Sequence, residues 1–254
     1  MEYPRFFELF GAASRTKNIL SEEDASLKAS GVRQANLRRF ILPPGALLPK
    51  EFIRLCPWEM EYVFTVARRA RFGILEVGRF NGGSLFVMAA AARPGIPIHS
   101  IDIDPQDDEF LWDVLDKHCP DANINIIVGD SQHTTYPEIG KVDLLFIDGD
   151  HTYEGCLADV ENWYGHLKNN GHLLFHDSYL GPHGVQDAIA DFMDRHPELQ
   201  VIQSPFIGPA YWNYPAGSIA HFIKRPRQHR NYPEGRGGRA ENSAPVRPRV
   251  LAIR

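Results

Sequence analysis

Cysteine is scarce in this sequence: Cys56, Cys119 and Cys156 are the three among 254 residues. They lie far apart and lack the paired spacing of zinc ligands, so we expect reduced thiols, as in a cytoplasmic protein, rather than a disulfide framework or a structural metal site. Long apolar runs are also missing, since stretches such as "LFVMAAAA" fall far short of the about 20 residues of a membrane span. The N-terminus carries an early Glu2 and no basic segment ahead of an apolar one, and we therefore expect no secretory signal.

Excess positive charge is absent from the chain as a whole, which has a formal net charge of -5. This balance argues against a nucleic-acid-binding protein. The charge is uneven, because residues 224–254 contain nine Lys or Arg and two Glu, a charge of +7, which leaves -12 on residues 1–223. Residues 226–254 are rich in Arg, Gly and Pro and have little to bury, so they are predicted to form a basic, disordered tail.

Apolar strands that alternate with helical segments make up most of the rest. Hydrophobic residues are 43% of the chain, enough for a large core. Residues 1–57 are predicted to form an extension, a partly helical lid, and residues 58–225 the main domain. Strands are predicted over residues 72–77, 98–102, 124–128, 142–148, 172–176, 200–203 and 218–223. Helices are predicted over residues 59–70, 83–92, 109–118, 154–168 and 184–195. This alternation predicts a doubly wound α/β fold, a parallel sheet with helices on both faces.

The segment "ILEVGRFNGGS" follows the first strand and opens a helix. Gly78 and Gly82 allow a tight turn and a close approach by a ligand, and the helix N-terminus beyond them offers unpaired N–H groups. The dinucleotide fingerprint is broken, because Phe80 stands where its second glycine is needed, and this counts against NAD. Glu76 would repel a pyrophosphate but suits a cationic ligand. The turn therefore indicates a nucleotide site of another kind, with a purely structural strand-to-helix turn as the alternative.

Polar residues end the next two strands. Asp102 in "SIDIDP", about twenty residues past the glycine turn, is placed to accept hydrogen bonds from ribose hydroxyls. Ser131 and Gln132 in "VGDSQH" can read an adenine edge, although such residues are also ordinary in loops. Both segments are compatible with a bound nucleoside.

Acidic residues end the fourth and fifth strands, at Asp148 in "LLFIDGDH" and at Asp177 in "LLFHDS". Consecutive strands joined by one crossover are usually neighbours, and neighbouring strands lie roughly 4.8 Å apart. Two carboxylates at that spacing repel each other unless a cation or a proton joins them, and a hard divalent ion suits oxygen ligands. His151 is either a general base beside this pair or a loop histidine that caps the next helix.

The motifs "EVGRFNGGS", "IDIDP", "GDSQ", "FIDGDH" and "GHLLFHDS" together resemble, over residues 72–224, a class I S-adenosylmethionine-dependent methyltransferase. More narrowly, they resemble the metal-dependent O-methyltransferases, the group of catechol O-methyltransferase and the macrolide-sugar O-methyltransferases. The resemblance implies a Rossmann-like sheet of seven strands, mostly parallel with an antiparallel last strand. It also implies contacts to the methionine end, the ribose and the adenine of S-adenosylmethionine. These contacts are Glu76, Gly78, Gly82, Ser84, Asp102, Ser131 and Gln132.

The resemblance further implies that Asp148 and Asp177 bind a divalent cation, Mg²⁺ or alternatively Mn²⁺, and that His151 is the catalytic base. The chain departs from the pattern where the sugar O-methyltransferases carry a second acid, because it has His176 there, and where catechol O-methyltransferase carries an asparagine, because it has Ser178. We count His176 among the predicted metal ligands. Histidine suits transition metals better than Mg²⁺, so the ion has fewer protein ligands, or is a different ion, or is absent.

The predicted function is methyl transfer from S-adenosylmethionine to a hydroxyl of a small molecule, a sugar or a secondary metabolite. One alternative is a metal-independent methyltransferase with His151 as the base. Another is a non-catalytic S-adenosylmethionine-binding protein, which the presence of His151 and both aspartates disfavours because a pure binder needs none of them. We expect no nucleic-acid or membrane partner, and the sequence is compatible with a homo-oligomer.

Overall fold

The computed structural model describes residues 52–178, 184–203 and 218–226, which contain five α-helices and seven strands. The helices are α1 (Pro57–Ala67), α2 (Gly83–Ala91), α3 (Asp108–His118), α4 (Tyr153–Trp163) and α5 (Val185–Arg195). The strands are β1 (Ile74–Val77), β2 (Pro97–Asp102), β3 (Asn123–Val128), β4 (Val142–Ile147), β5 (Leu167–His176), β6 (Leu199–Gln203) and β7 (Ile219–Lys224). Two short 3₁₀ helices cover Pro137–Ile139 and Tyr164–His166.

The seven strands form one sheet in the order β3-β2-β1-β4-β5-β7-β6. All pairs from β3 across to β5 are parallel, whereas β7 lies between β5 and β6 and is antiparallel to both. This confirms the predicted fold class, a Rossmann-like, doubly wound α/β sheet that is mostly parallel with an antiparallel last strand. The chain order reverses between β1 and β4, and open α/β sheets bind ligands at the carboxyl ends of strands at such a switch point.

Alternate residues of the central strands face two different cores. In β1, Ile74 packs with the cluster formed by α1, α2 and α3, and Leu75 packs with the cluster formed by α4 and α5. The same alternation holds for Leu144 and Leu145 in β4. Because helices cover both faces, the central strands are mostly apolar, with Glu76 in β1 a buried exception, and most polar residues lie where the strands end.

The main disagreement with the predicted elements concerns the helix expected over residues 154–168. Helix α4 ends at Trp163, one 3₁₀ turn follows, and β5 already begins at Leu167. Gly165 lies in that turn and is a poor helix former, while Leu167 pairs with Val142 of β4. Pairing in the sheet therefore overrides the helical periodicity of these residues.

Most of the predicted extension, residues 1–51, and most of the predicted tail, residues 227–254, lie outside the described residues. The proposed domain boundaries stay predictions, although Phe52 and Leu55 already pack into the core below α1. None of the described helices is both long enough and apolar enough to cross a membrane. The three cysteines are free thiols, as predicted.

A row of polar side chains lies between α1 and the sheet. Tyr62 Oη lies 2.7 Å from His221 Nδ1 on β7, and His221 Nε2 lies 2.8 Å from His172 Nδ1 on β5. Burial lowers the pKa of His172 to about 4 and the pKa of His221 well below its usual value. Both histidines are therefore neutral in the native protein at neutral pH, and their hydrogen bonds satisfy polar groups that water does not reach.

Protonation of this row should destabilise the fold in mild acid. An unfolded histidine titrates near pH 6.5, so below that pH the unfolded chain binds a proton. Native His172 does not bind that proton until the pH falls to about 4. The free energy of unfolding is therefore unaffected above about pH 6.5 and falls through this window, by on the order of 3 kcal/mol for His172. Urea unfolding of wild type and His172→Gln tests this. The difference between the two proteins should shrink between about pH 7.5 and pH 5, and an unchanged difference would contradict it.

Candidate active site

The carboxyl ends of five parallel strands meet at one edge of the sheet and surround a cavity of about 720 Å³. Pockets of this size typically hold a small-molecule ligand. The wall contains eight of the predicted site residues: Gly78, Ser84, Asp102, Ser131, Gln132, Asp148, His151 and Asp177. Glu76, Gly82 and His176 are not part of the wall. The structure thus brings residues from five strand ends into one site.

The turn between β1 and α2 is shaped by backbone conformations that side chains rarely adopt. Gly78 has φ +87, and a Cβ there would lie 2.0 Å from the carbonyl oxygen of Asp148, so only glycine lets the ends of β1 and β4 come this close. Gly82, the N-cap of α2, has φ 84. Phe80 has φ 46, the left-handed conformation that a glycine would favour. Strained residues of this kind tend to cluster at functional sites.

Asp102 holds this turn in place from the end of β2. Its Oδ2 accepts hydrogen bonds from the backbone N–H groups of Arg79 and Phe80, each at 2.7 Å, and its Oδ1 accepts one from Asp104 at 2.9 Å. A carboxylate can accept about four hydrogen bonds, so roughly one acceptor position is left for a ligand hydroxyl. Asp102 therefore has a structural role in addition to the ribose contact that was predicted.

Glu76 lies behind the cavity wall and is completely buried. Ser100 donates a hydrogen bond of 2.5 Å to its Oε2. Burial raises the pKa of Glu76 to about 7, against the effect of hydrogen bonds that lower it. Its contact with the methionine end of a cofactor stays a prediction, because in this structure Ser100 and Ser84 are its hydrogen-bonding neighbours.

Ser131 and Gln132 line the opposite part of the cavity. The Ser131 hydroxyl donates to Asp159 Oδ1 at 2.6 Å, and Trp163 Nε1 donates to the Ser131 carbonyl at 2.9 Å. Gln132 Nε2 lies 3.4 Å from Asp150 Oδ2. Burial raises the pKa of Asp159 to about 6. These bonds fasten the loop after β3 to α4 and to the turn that precedes it.

Two carboxylates and two histidines form a cluster at the ends of β4 and β5. His151 Nε2 lies 3.4 Å from Asp148 Oδ1 and 3.7 Å from Asp177 Oδ2. His176 Nδ1 lies 3.1 Å from the same Asp148 oxygen and 3.6 Å from the same Asp177 oxygen. The carboxylate pair thus lies between the two imidazoles, with His151 on the cavity side and His176 behind. Asp177 is held here with φ 46, a further strained residue at this edge.

The charges in this cluster stabilise one another. The hydrogen bond to Asp148 raises the pKa of His151 above its usual value. Burial by itself would lower the pKa of His176, but Asp148 and Glu59 raise it well above its usual range. The nearby histidines lower the pKa of Asp148 and of Asp177, against the effect of burial. Both carboxylates are therefore ionised at neutral pH, and they favour the protonated form of the neighbouring histidines.

The alternative that His151 merely caps the following helix does not fit the structure. The N-cap of α4 is Thr152, whose side chain accepts a hydrogen bond from Gly155 N at 3.1 Å. Asp150 accepts one from Thr152 N at 2.8 Å and completes the turn before the helix. His151 is instead directed at Asp148 and Asp177, as a base or a ligand requires.

Comparison with known proteins identifies the surrounding domain. Residues 75–178 match a family model described as a methyltransferase domain, and this stretch contains both the glycine turn and the cluster around Asp148. The carboxy-S-adenosyl-L-methionine synthase of Chromohalobacter salexigens is 26% identical over 124 residues, which are 48% of this chain and 46% of that protein. The chain spans about half or less of the length of the curated relatives that it matches.

Solved methyltransferases share the fold. An O-methyltransferase from Bacillus cereus in complex with S-adenosylhomocysteine has a TM-score of 0.54 and 16% identity, covering 85% of this chain and 96% of that one. The O-methyltransferase TomG from Streptomyces achromogenes in complex with S-adenosylmethionine has a TM-score of 0.55 and 16% identity, covering 89% and 100%. Residues 75–178 therefore carry a methyltransferase domain, and the fold is shared with solved S-adenosylmethionine-dependent O-methyltransferases. The broader resemblance read from the sequence motifs, to a class I S-adenosylmethionine-dependent methyltransferase, is confirmed at this level.

The glycine turn between β1 and α2 contains a residue that the sequence did not single out. The Arg79 side chain is fully buried, and its Nη2 donates to Asp108 Oδ1 and Oδ2 at 3.0 and 2.9 Å. Bidentate pairs of this kind combine strength with a fixed geometry. Arg79 therefore fastens the β1–α2 turn to the first turn of α3. A basic residue inside a glycine turn was the available signal, but exposure could not be judged from the sequence.

Two further residues of the cavity wall were not predicted. Ile103 follows Asp102 and lines the cavity. It is 71% exposed and therefore offers an apolar surface to a ligand. Arg54 also lines the cavity, with its guanidinium 5.1 Å from the centre of the Phe80 ring. Ile103 lies within the "IDIDP" motif but was given no role there, and Arg54 belongs to none of the motifs.

Proposed function

We propose that the protein transfers the methyl group of S-adenosylmethionine to a hydroxyl of a small molecule, with His151 as the general base and a divalent cation at Asp148 and Asp177. The observation that carries the proposal is the position of His151 on the cavity wall, within 3.7 Å of both carboxylates and beside the glycine turn. A site that only binds a cofactor needs neither the base nor the acids. The acceptor is proposed to be a small hydroxylated molecule, because the base lies on the wall of a cavity of about 720 Å³, a size that suits small ligands.

The cavity fits S-adenosylmethionine, the proposed cofactor. The close approach of Gly78 to Asp148 leaves the backbone of the turn exposed to a ligand without intervening side chains. Asp102 retains an acceptor for a ribose hydroxyl, and Ile103 offers an apolar surface beside it. When bound, S-adenosylmethionine supplies the activated methyl group. The residues of the chain then need only orient the two partners, which accounts for much of the acceleration of such reactions.

The donor atoms of the cluster also fit a divalent cation. Donors that bind one ion at about 2.1 Å lie about 3.0 Å apart at a right angle and about 3.4 Å apart at a tetrahedral angle. The distances from Asp148 Oδ1 and Asp177 Oδ2 to the histidine nitrogens are 3.1 to 3.7 Å. Asp148, His151 and Asp177 alone already form a group whose donor atoms lie within 4.8 Å of one another. A bound cation would lower the pKa of the acceptor hydroxyl.

His151 performs the proton transfer in this proposal. Its side chain is 34% exposed and reaches the cavity, so it can meet the acceptor directly. As the hydroxyl oxygen forms its bond to the methyl carbon and the carbon–sulfur bond breaks, the hydroxyl proton passes to the imidazole. Asp148 and Asp177 orient the ring and stabilise the imidazolium that results. The proton then leaves to solvent with the release of product.

A second candidate is the same reaction without a metal. His176 lies within 3.6 Å of Glu59, Asp148 and Asp177, and these three acids favour its protonated form. An imidazolium at this position would offset the repulsion between the two aspartates without a metal ion. The two candidates differ in their response to chelators, for which an expected result is given in the Discussion.

Cofactor binding gives the first test. S-adenosylmethionine and S-adenosylhomocysteine should bind the isolated protein, and NAD should not, because Phe80 replaces a glycine of the dinucleotide fingerprint. Asp102→Ala should weaken binding by roughly 5- to 150-fold, the equivalent of about 1 to 3 kcal/mol for lost hydrogen bonds to a charged acceptor. Isothermal titration calorimetry measures both. Tight NAD binding, or unchanged affinity in the variant, would refute the cofactor assignment.

Turnover gives the second half of that test. The protein is incubated with S-adenosylmethionine labelled in the methyl group and a library of sugars and hydroxylated metabolites. Label should pass to a hydroxyl oxygen of at least one of them, and Asp121→Asn, an exposed change far from the cavity, should leave the transfer unchanged. Cofactor binding without transfer to any member of a broad library would favour the non-catalytic alternative.

A further inference from the structure

We infer that Glu59 orients His176 as a nitrogen ligand and that the site consequently prefers a transition-metal ion such as Mn²⁺ to Mg²⁺. This inference rests on the proposed function, since it specifies the cation of the same site. It concerns two residues of this chain, one of which, Glu59, lies in no motif. Glu59 is held in place by the first turn of α1, and it orients His176. The donor set then selects the ion, while His151 occupies a separate position.

Glu59 is fixed by the first turn of α1. It is the third residue of the helix and 1% exposed, and its Oε2 accepts a hydrogen bond of 2.8 Å from the backbone N–H of Cys56, the N-cap residue. This reciprocal capping arrangement holds the carboxylate against the start of the helix. Its other oxygen, Oε1, is turned toward the sheet and lies 3.2 Å from His176 Nε2.

One ring nitrogen of His176, Nε2, therefore lies against Glu59, and the other, Nδ1, is directed at the aspartate pair. With Nε2 beside Glu59, its Nδ1 faces Asp148 Oδ1 at 3.1 Å and Asp177 Oδ2 at 3.6 Å. The residue is 9% exposed and its ring packs edge-on against Phe146, so it has no room to turn away. A histidine that binds a metal typically donates its second ring N–H to a carboxylate, which fixes the tautomer and the ring orientation. Glu59 Oε1 lies 3.2 Å from His176 Nε2 as an ion pair, the position from which a carboxylate takes that role, although the two atoms do not form a hydrogen bond of regular geometry here.

The donor set then determines the class of ion. Mg²⁺ prefers oxygen ligands and keeps several waters, whereas imidazole nitrogen favours ions of the first transition series. Replacement of an acid by His176 exchanges an oxygen donor for a nitrogen donor at the centre of the site. We therefore expect selection against Mg²⁺, with Mn²⁺ as the probe because it accepts both carboxylate and imidazole ligands.

The two histidines take different roles because their surroundings differ. His176 lies behind the carboxylate pair and is absent from the cavity wall, while His151 forms part of that wall. The side chain of His176 is 10% exposed and that of His151 is 34% exposed. The enclosed and oriented ring is suited to permanent ligation, and the accessible ring is suited to proton transfer with an acceptor.

Metal binding to the full chain, without any acceptor, tests the inference. Metal-stripped protein is titrated with MnCl₂ or MgCl₂ and followed by calorimetry, and bound Mn²⁺ is examined by pulsed electron paramagnetic resonance for coupling to ¹⁴N. Wild type should bind Mn²⁺ at least 10-fold more tightly than Mg²⁺ and show directly bound nitrogen. The coupling should persist in His151→Ala and disappear in His176→Gln.

Glu59→Gln gives the matched variant, because glutamine keeps an oxygen for the Cys56 N–H and so preserves the helix cap. Loss of the orienting charge should weaken Mn²⁺ binding 10- to 100-fold, the usual effect of removing a residue that orients a ligand. Calorimetry should show S-adenosylhomocysteine affinity unchanged. Glu61→Gln, at an exposed position of the same helix, should match wild type in Mn²⁺ affinity.

Equal affinity for the two ions, no ¹⁴N coupling in wild type, or wild-type Mn²⁺ affinity in Glu59→Gln would each overturn the inference. The wild-type spectrum decides the matter even where a variant folds poorly. Failure of the proposed function gives a different pattern, namely absent methyl transfer from a protein that binds Mn²⁺ with nitrogen coupling. The two failures are therefore distinguishable, since metal binding is measured without turnover.

Discussion

Replacing His151 with alanine should lower the rate of methyl transfer by on the order of 10² to 10⁴, the usual contribution of a positioned base. His151 Nε2 lies within 3.7 Å of Asp148 and Asp177 and faces the cavity, so it is the described imidazole that an acceptor can reach. The loss should appear in the rate of the chemical step. Affinity for the cofactor should stay close to wild type, because the glycine turn and Asp102 form independently of this side chain. Single-turnover transfer of labelled methyl and calorimetry measure the two quantities.

His133→Ala is the matched control for that experiment. His133 is a histidine paired with an acid, Asp130, at a distance of 2.9 Å, but its side chain is 78% exposed and it is not part of the cavity wall. Its removal should leave turnover within about twofold of wild type, since exposed pairs contribute little. Full activity of His151→Ala would show that another group, or a bound cation alone, activates the hydroxyl.

The central features of the site could be predicted because they depend on chain order and strand ends. Asp148 and Asp177 end consecutive strands, and one right-handed crossover makes such strands neighbours in most α/β sheets. The observed pairing of β4 with β5 confirms that expectation. The position of His151 follows from the same logic, since three residues past a strand end cannot carry it far from Asp148.

Other features depend on contacts between distant parts of the chain and could not be predicted. Glu59 reaches His176 across 117 positions of sequence only because α1 packs over the sheet beside β5. In the sequence alone Arg79 resembles an exposed loop residue, and its burial becomes apparent only from its ion pair with Asp108. The end of α4 at Trp163 was missed because local helical periodicity gives no sign of the strand pairing that overrides it. Periodicity records local preference, whereas these features follow from the assembled tertiary structure.

Asp148→Asn should remove both the response to added metal and most of the activity. The Oδ1 atom of Asp148 is shared by the two imidazoles, at 3.1 Å from His176 and 3.4 Å from His151, so one charge supports both the cation and the base. A metal ion contributes several kcal/mol to reactions of this kind, which corresponds to a loss on the order of 10³ in rate. Treatment of wild type with a chelator should have a similar effect and leave cofactor affinity nearly intact, and added Mn²⁺ should restore turnover in wild type but not in the variant.

Asp150→Asn separates the loss of the ligand from the loss of any nearby negative charge. Asp150 lies two residues away, but its carboxylate accepts from Thr152 N and belongs to the turn before α4, so this variant should keep the metal response. Full wild-type activity in the chelator, together with an inactive Asp148→Asn, would mean that Asp148 orients His151 and that no metal takes part. In that case the His176 imidazolium offsets the charge of the two aspartates, and the metal-independent candidate replaces the metal-dependent one. Retained metal response in Asp148→Asn would instead place the cation elsewhere and remove the basis for assigning it to this cluster.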